Sequence, residues 1–230
     1  MLFALRHPAI LLGLLIGFLV GVIVRAAVQQ RLSSGRGSSG LRSGRRGLRA
    51  VGGTRPAAAW STYLDPYGVV AAVVAGVGWG ARPPVRAGRG ATAMLVAALA
   101  VHAVFAAIGF AAYRALNGPP VLGRGVDVTA VLHGSYALGS VAAQVAVGFA
   151  VENLACGLLA LLPIPPLELG VLLWSRLPRT PGARRFAYHL LEEAWGVAVV
   201  LVGLLLPLAG QQPAFLALLN DVGAPLLRLV

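Results

Sequence analysis

Lysine is absent from this chain and acid is scarce: 19 arginines stand against 7 Asp and Glu, a formal net charge of +12 over 230 residues. Only 11% of residues are charged, under half of the roughly 25% usual in soluble domains. With 58% hydrophobic residues there is too little polar surface to cover a water-soluble core. The chain reads as an integral membrane protein. One cysteine, Cys156, excludes an internal disulfide or a cysteine-rich metal knuckle; set in an apolar run, it reads as an inert buried thiol. Residues 29–56 hold seven arginines and no interleaved aromatic to stack on bases, so no nucleic-acid partner is expected. A phosphate-binding Gly loop, a Ser-His-Asp set and a nucleotide fingerprint are also missing.

What is present is a series of apolar runs separated by arginine-bearing turns. The run from Ala9 to Val24 is long for a signal peptide and no small-residue cleavage site follows it. It predicts a retained first transmembrane helix within residues 1–29, with Pro8 in its first turn. Residues 30–56, rich in Arg, Gly and Ser, cannot bury a core and predict a flexible loop. Residues 57–230 predict the membrane core. Within it, residues 69–80 are too short and Gly-rich to span and predict a re-entrant dip. Residues 91–115, 136–162 and 196–209 predict three further spans, four in all. The tail from Pro213 predicts a helix on the membrane or against the bundle. Trp60 and Trp79 fit an interfacial aromatic belt.

The arginines orient these spans. Residues 29–56, 82–89 and 176–185 carry 7, 3 and 4 of them, while Arg6, Arg114, Arg124 and Arg228 fall on the other side. This bias predicts a cytoplasmic arginine-rich loop with both termini extracytoplasmic. The lysine-free, Gly- and Ala-rich composition suggests a GC-rich bacterial genome, hence a bacterial cytoplasmic membrane. Membrane lipids are the first expected partners.

Leu161 to Gly170 reads Leu-Leu-Pro-Ile-Pro-Pro-Leu-Glu-Leu-Gly. Pro163, Pro165 and Pro166 cannot continue a helix, and a break at membrane depth is tolerated only in protein or beside a wet cavity. Glu168 follows the break, as a helix N-terminal cap or as a ligand. Glu152 sits mid-span, where charge is costly and marks function by default; the alternative is a protonated acid bonded to Gln144 or His102. Asn153 reads as a brace for the backbone at Pro163. His102 is a lone histidine in an apolar span, either satisfied in the core or a metal ligand. His133 and His189 have no spacing partner. Asp65, before Pro66, reads as a turn residue bonding nearby amides. Arg25 either snorkels to the interface or pairs with Glu168.

The Pro-rich segment resembles the third signature of the site-2 proteases, the intramembrane zinc metalloproteases, with Asn153 matching an asparagine of that helix. Tyr63-Leu64-Asp65-Pro66-Tyr67-Gly68 and Gly78-Trp79-Gly80-Ala81-Arg82-Pro83-Pro84-Val85 are similar to the family's short sheet-and-dip element. Residues 89–100 resemble the start of the next helix. This resemblance implies an all-α polytopic core with about four spans, a dip, a Pro-broken helix and an intramembrane cleft. The family's H-E-x-x-H is missing: Gly21, Val22 and Arg25 stand in its place. Glycine and valine offer no ligand, and arginine repels a metal. The family's Asp ligand is Glu168 here, and its Gly-Pro and Asn appear as Val101-His102 and Phe105. The expectation is a pseudoprotease without zinc, other cofactor or catalytic residues, which binds or scaffolds another membrane protein in its cleft. The alternatives are an active metalloprotease with ligands such as His102 and Glu168, and a small transporter or proton-relay component built on Glu152, His102 and the broken helix.

Overall fold

The computed structural model describes residues 1–34, 63–81, 89–117, 127–135, 139–176, 180–191, 195–207 and 212–227. They form a helical bundle; outside the helices, the described backbone includes one antiparallel bridge, Leu64 to Gly80. After a 3-10 turn at Leu2–Arg6, α1 runs Pro8–Ser34, α2 Pro66–Ala75 and α3 Arg89–Asn117. Then come α4 (Val128–Leu132), α5 (Val141–Leu159), α6 (Glu168–Arg176), α7 (Pro181–Leu191), α8 (Trp195–Leu205) and α9 (Ala214–Leu227).

Three helices among the described residues are long and apolar enough to cross a membrane: Pro8–Ser33, Gly90–Asn117 and Val141–Leu159. They pack together as the centre of the bundle. On their outer faces Leu12, Leu19, Val96, Val104 and Ile108 are exposed, the inverse of a water-soluble surface and suited to lipid. Facing inward, α1 carries Gly13, Gly17 and Gly21, spaced four apart, which let its backbone approach α5. A Cβ at Gly13 would lie 2.2 Å from the Val145 carbonyl, and one at Gly17 3.0 Å from that of Phe149. Substituting either would push the two helices apart.

Of the fourth span expected over residues 196–209, α8 covers Trp195–Leu205, and residues 192–194 before it lie outside the described residues. The helix there, α8, has 11 residues, about 16 Å against the roughly 30 Å of bilayer hydrocarbon. Its Gly196 seats on the broken segment, where a Cβ would meet the Pro165 carbonyl at 2.0 Å. The end of α1 is corrected. It continues through residues 30–34 of the segment expected to be loop, beyond Gln29, which is buried and donates to the Met94 carbonyl at 3.0 Å. The rest of the arginine-rich segment, with Trp60, lies outside the described residues.

The short elements follow their local chemistry. Asp65 caps α2, its Oδ1 accepting from the amides of Tyr67 (2.9 Å) and Gly68 (3.1 Å), with Pro66 in the first turn. Gly76 ends α2 at φ 92°, a conformation that needs glycine. The chain then returns to where it started, with the Ala81 amide on the Tyr63 carbonyl at 2.9 Å. At the prolines, α5 gives way to turns held by Leu162 to Leu159, Leu167 to Ile164 and Leu169 to Ala160, each 3.0 Å from amide to carbonyl. α9 packs on α4, α5 and α8, tied by the Val128 amide donating to Asn220 Oδ1 at 2.9 Å.

Candidate functional site

Four elements and the return from α2 meet at one buried polar centre. The break after Pro166 delivers Glu168 as the first residue of α6. From α1, Arg25 reaches it, and its Nη1 donates to Glu168 Oε1. Both side chains are 3% exposed, so this ion pair is inside the bundle and does not snorkel outward. Arg25 Nη2 also donates to the Ala81 carbonyl at 3.2 Å, tying the α2 return to the same guanidinium. One arginine thus links α1, the dip and the broken helix.

Beside the pair, His102 of α3 faces Asn153 of α5 at 3.1 Å, Nδ1 to Oδ1. The Asn153 amide donates to the carbonyls of Gly17 (3.3 Å) and Phe149 (3.0 Å). Asn153 therefore braces α1, α3 and α5 together, and the expected brace at Pro163 is corrected: its amide is consumed inside the bundle. Glu152 is fully buried and takes neither expected partner. Its Oε1 accepts from the Cys156 thiol at 3.5 Å, one turn on, while that sulfur also lies 3.6 Å from the Gly78 carbonyl. Gln144 instead donates to the Gly139 carbonyl at 3.2 Å. Trp79 is 4% exposed, so it belongs to this interior and not to an interfacial belt. Arg25 Nε, Trp79 Nε1 and Glu152 Oε2 are buried with no protein hydrogen-bond partner among the described residues.

Gly21, Val22 and Arg25 of α1 all look into this centre. A Cβ on Gly21 would lie 2.5 Å from Asn153 Oδ1 and 3.1 Å from His102 Cε1. Val22 is buried against Gly80, and Arg25 holds Glu168. The space between Val22, Arg25, Trp79, His102, Cys156 and Glu168 amounts to about 10 Å³, room for one water at most. A wider groove of about 170 Å³ opens alongside, between α3 and α5, with Leu99, Ala103, Ala106 and Leu161 as walls and His102 and Asn153 at its base.

No family model, curated protein or solved structure matches the chain.

The donor set decides what this centre can hold. A zinc site needs three or four His, Cys, Asp or Glu ligands around one point. No group of three such residues that could hold a metal lies among the described residues. Glu168 already faces a guanidinium, and that fixed cation would repel a divalent ion. The residues do not fit zinc. What they do provide is a locked polar core with a half-open apolar groove on one flank.

Of the residues singled out from sequence, Arg25 and Glu168 come together, as do His102 and Asn153, while Glu152 keeps its own partner. Asp65 lies at the start of the dip, and Pro163, Pro165 and Pro166 shape the turn before Glu168. The sequence reading missed Gly21 as the wall of the centre, Gly17 as the acceptor for Asn153, and Gly78. The Gly13-x-x-x-Gly17-x-x-x-Gly21 spacing is a signal that could have found the first two.

Proposed function

We propose that this chain is a site-2 protease-like pseudoprotease, a non-catalytic membrane protein that holds a helix of another membrane protein against its intramembrane cleft. The observation that carries the reading is the Arg25–Glu168 pair. The resemblance asks for a metal ligand at position 25 and another at 168, and this chain brings those two positions together as cation and carboxylate. Gly21 and Val22 face the same centre, as one helical face of a metal-binding motif would, yet offer no donor. The Leu64–Gly80 bridge and the broken helix fit the shaping elements of that core. The groove beside His102 and Asn153 admits side chains of a neighbouring helix rather than the whole helix, which suits holding better than processing.

In this reading the arginine-rich segment faces the cytoplasm and both termini face out. The C-terminal placement asks α8, whose Gly196 is seated against the Pro165 carbonyl, to recross the bilayer. The placement is supported by α9, tied through Asn220 to α4 between α3 and α5.

Photo-crosslinking residues placed at Ala103 and Leu161 test the cleft, with lipid-facing Leu19 as control. The expected result is a second membrane polypeptide captured at the two groove positions and not at Leu19. Capture of lipid alone at all three, or one equivalent of zinc per chain that is lost in His102→Ala or Glu168→Ala, would overturn the reading.

A further inference from the structure

A second groove, separate from the polar centre, runs along α3 where the last turns of α1 meet it. Its volume is about 510 Å³, and it is lined by Leu32, Thr92, Ala93, Val96, Ala97 and Ala100. That volume lies in the range occupied by small-molecule ligands, about 300–1,000 Å³. From Thr92 to Ala100 it follows about 12 Å of helix axis. Its α3 wall is apolar after Thr92, with alanines at 93, 97 and 100 making a trough where larger side chains would make a ridge.

The polar end has a fixed charge. Thr92 Oγ1 accepts from Arg176 Nη2 at 2.9 Å, at the surface. Arg31, in the last turn of α1, is exposed and adjacent in sequence to lining residue Leu32. No acid stands in the first turn of α3 to neutralise them. The groove lies on helices that cross the membrane, so its interior meets acyl chains while its arginine end meets headgroups. A ligand matching both ends has one anionic group and a long apolar body.

We propose that this groove binds one acyl chain of an anionic phospholipid, with the lipid's phosphate on Arg176. The site does not depend on the pseudoprotease reading, since it uses none of the residues of the polar centre. A surface arginine near a membrane favours anionic lipid by about 1 kcal/mol, a factor of about five. The groove supplies what a general basic surface does not, a defined place for one chain.

The test uses the full protein in detergent, titrated with spin-labelled phosphatidylglycerol and, in parallel, spin-labelled phosphatidylcholine. The wild type is expected to bind one phosphatidylglycerol per chain in preference to phosphatidylcholine. Arg176→Gln should cut the preference about fivefold, whereas Arg185→Gln, an exposed arginine on α7, should leave it unchanged. Ala93→Phe fills the trough from its half-exposed side and should weaken both lipids, with the melting temperature reporting that the fold is intact. Equal binding of the two lipids, equal losses in Arg176→Gln and Arg185→Gln, or a folded Ala93→Phe that binds like the wild type would each overturn the site. So would a cross-link from Ala93→Cys, on a Cys156→Ser background, to residues 35–62 or to another protein.

Discussion

Breaking the Arg25–Glu168 pair one side at a time should destabilise the protein far more than removing it whole. Each side chain is 3% exposed, so neither charge can find water when its partner goes. Removing one member of a buried pair typically costs about 3–5 kcal/mol, whereas replacing both with apolar residues of similar volume is often neutral or stabilising. At roughly 2–4 °C per kcal/mol for a chain of this size, either single variant should melt some 6–20 °C lower. The two singles should not be equal. Glu168→Leu strands a guanidinium that cannot lose its proton, though the Ala81 carbonyl still accepts from it. Arg25→Met strands a carboxyl that can become neutral by taking one up. Glu168→Leu is therefore the more damaging, and Arg25→Met/Glu168→Leu should recover most of the loss. Thermal melts of the four proteins in one detergent close the cycle. A coupling energy below about 1 kcal/mol, the range of exposed pairs, would refute the placement of this pair in a dry interior.

Purified protein should carry no stoichiometric zinc, read by elemental analysis; one equivalent per chain lost on His102→Ala or Glu168→Ala refutes this. Asp65→Ala removes the acceptor for two α2 amides and should cost about 1 kcal/mol, seen as a lower melting temperature that Asp65→Asn or Asp65→Ser largely restores. Burial holds His133 below its ordinary range, and the amino terminus pushes the same way against Asp127. The folded state then binds fewer protons than the unfolded one below about pH 6.5, so stability should fall as pH drops through that value. His133→Asn should flatten that part of the melting profile, and an unchanged slope would show that another group sets it. Pro163→Ala/Pro165→Ala/Pro166→Ala should insert and fold with more helix but recover less of any membrane partner; unchanged recovery would remove the cleft as the binding place.

Composition and run length carried the all-helical membrane architecture, because hydrocarbon admits little else. The same signals could not give the contacts a helix makes. Residues 196–209 are apolar enough for a span, yet among the described residues the helix there covers Trp195–Leu205, and its Gly196 docks on the Pro165 carbonyl, a long-range contact no hydropathy window contains. Gln29 and Trp79 show a similar limit. Each has a residue type common at an interface or in a loop, and tertiary partners pulled each inside: the Met94 carbonyl for Gln29, and the wall of the polar centre for Trp79. Asn153 was legible as a brace, but its partners lie on α1 and α3, 136 and 51 residues away. Glu152 was legible as a buried acid needing a donor. The donor is the nearby thiol of Cys156, a residue type read as inert.

Gly21 connects packing to function most directly. On the proposed reading it stands where a ligand-bearing side chain would be, and its lack of a side chain is now a packing requirement. Asn153 fills the volume beside it: any Cβ at position 21 would come within 2.5 Å of its Oδ1 and 3.1 Å of the His102 ring. Even alanine must displace the group that ties α5 to α1 and α3. A histidine there would have to displace Asn153, and Arg25 would still offer a cation where a metal needs a lone pair. The contacts that would hold a metal and those that hold these helices together compete for one small volume. A side chain at position 21 therefore weakens the bundle before it can build a site, and the centre acts as a joint between helices.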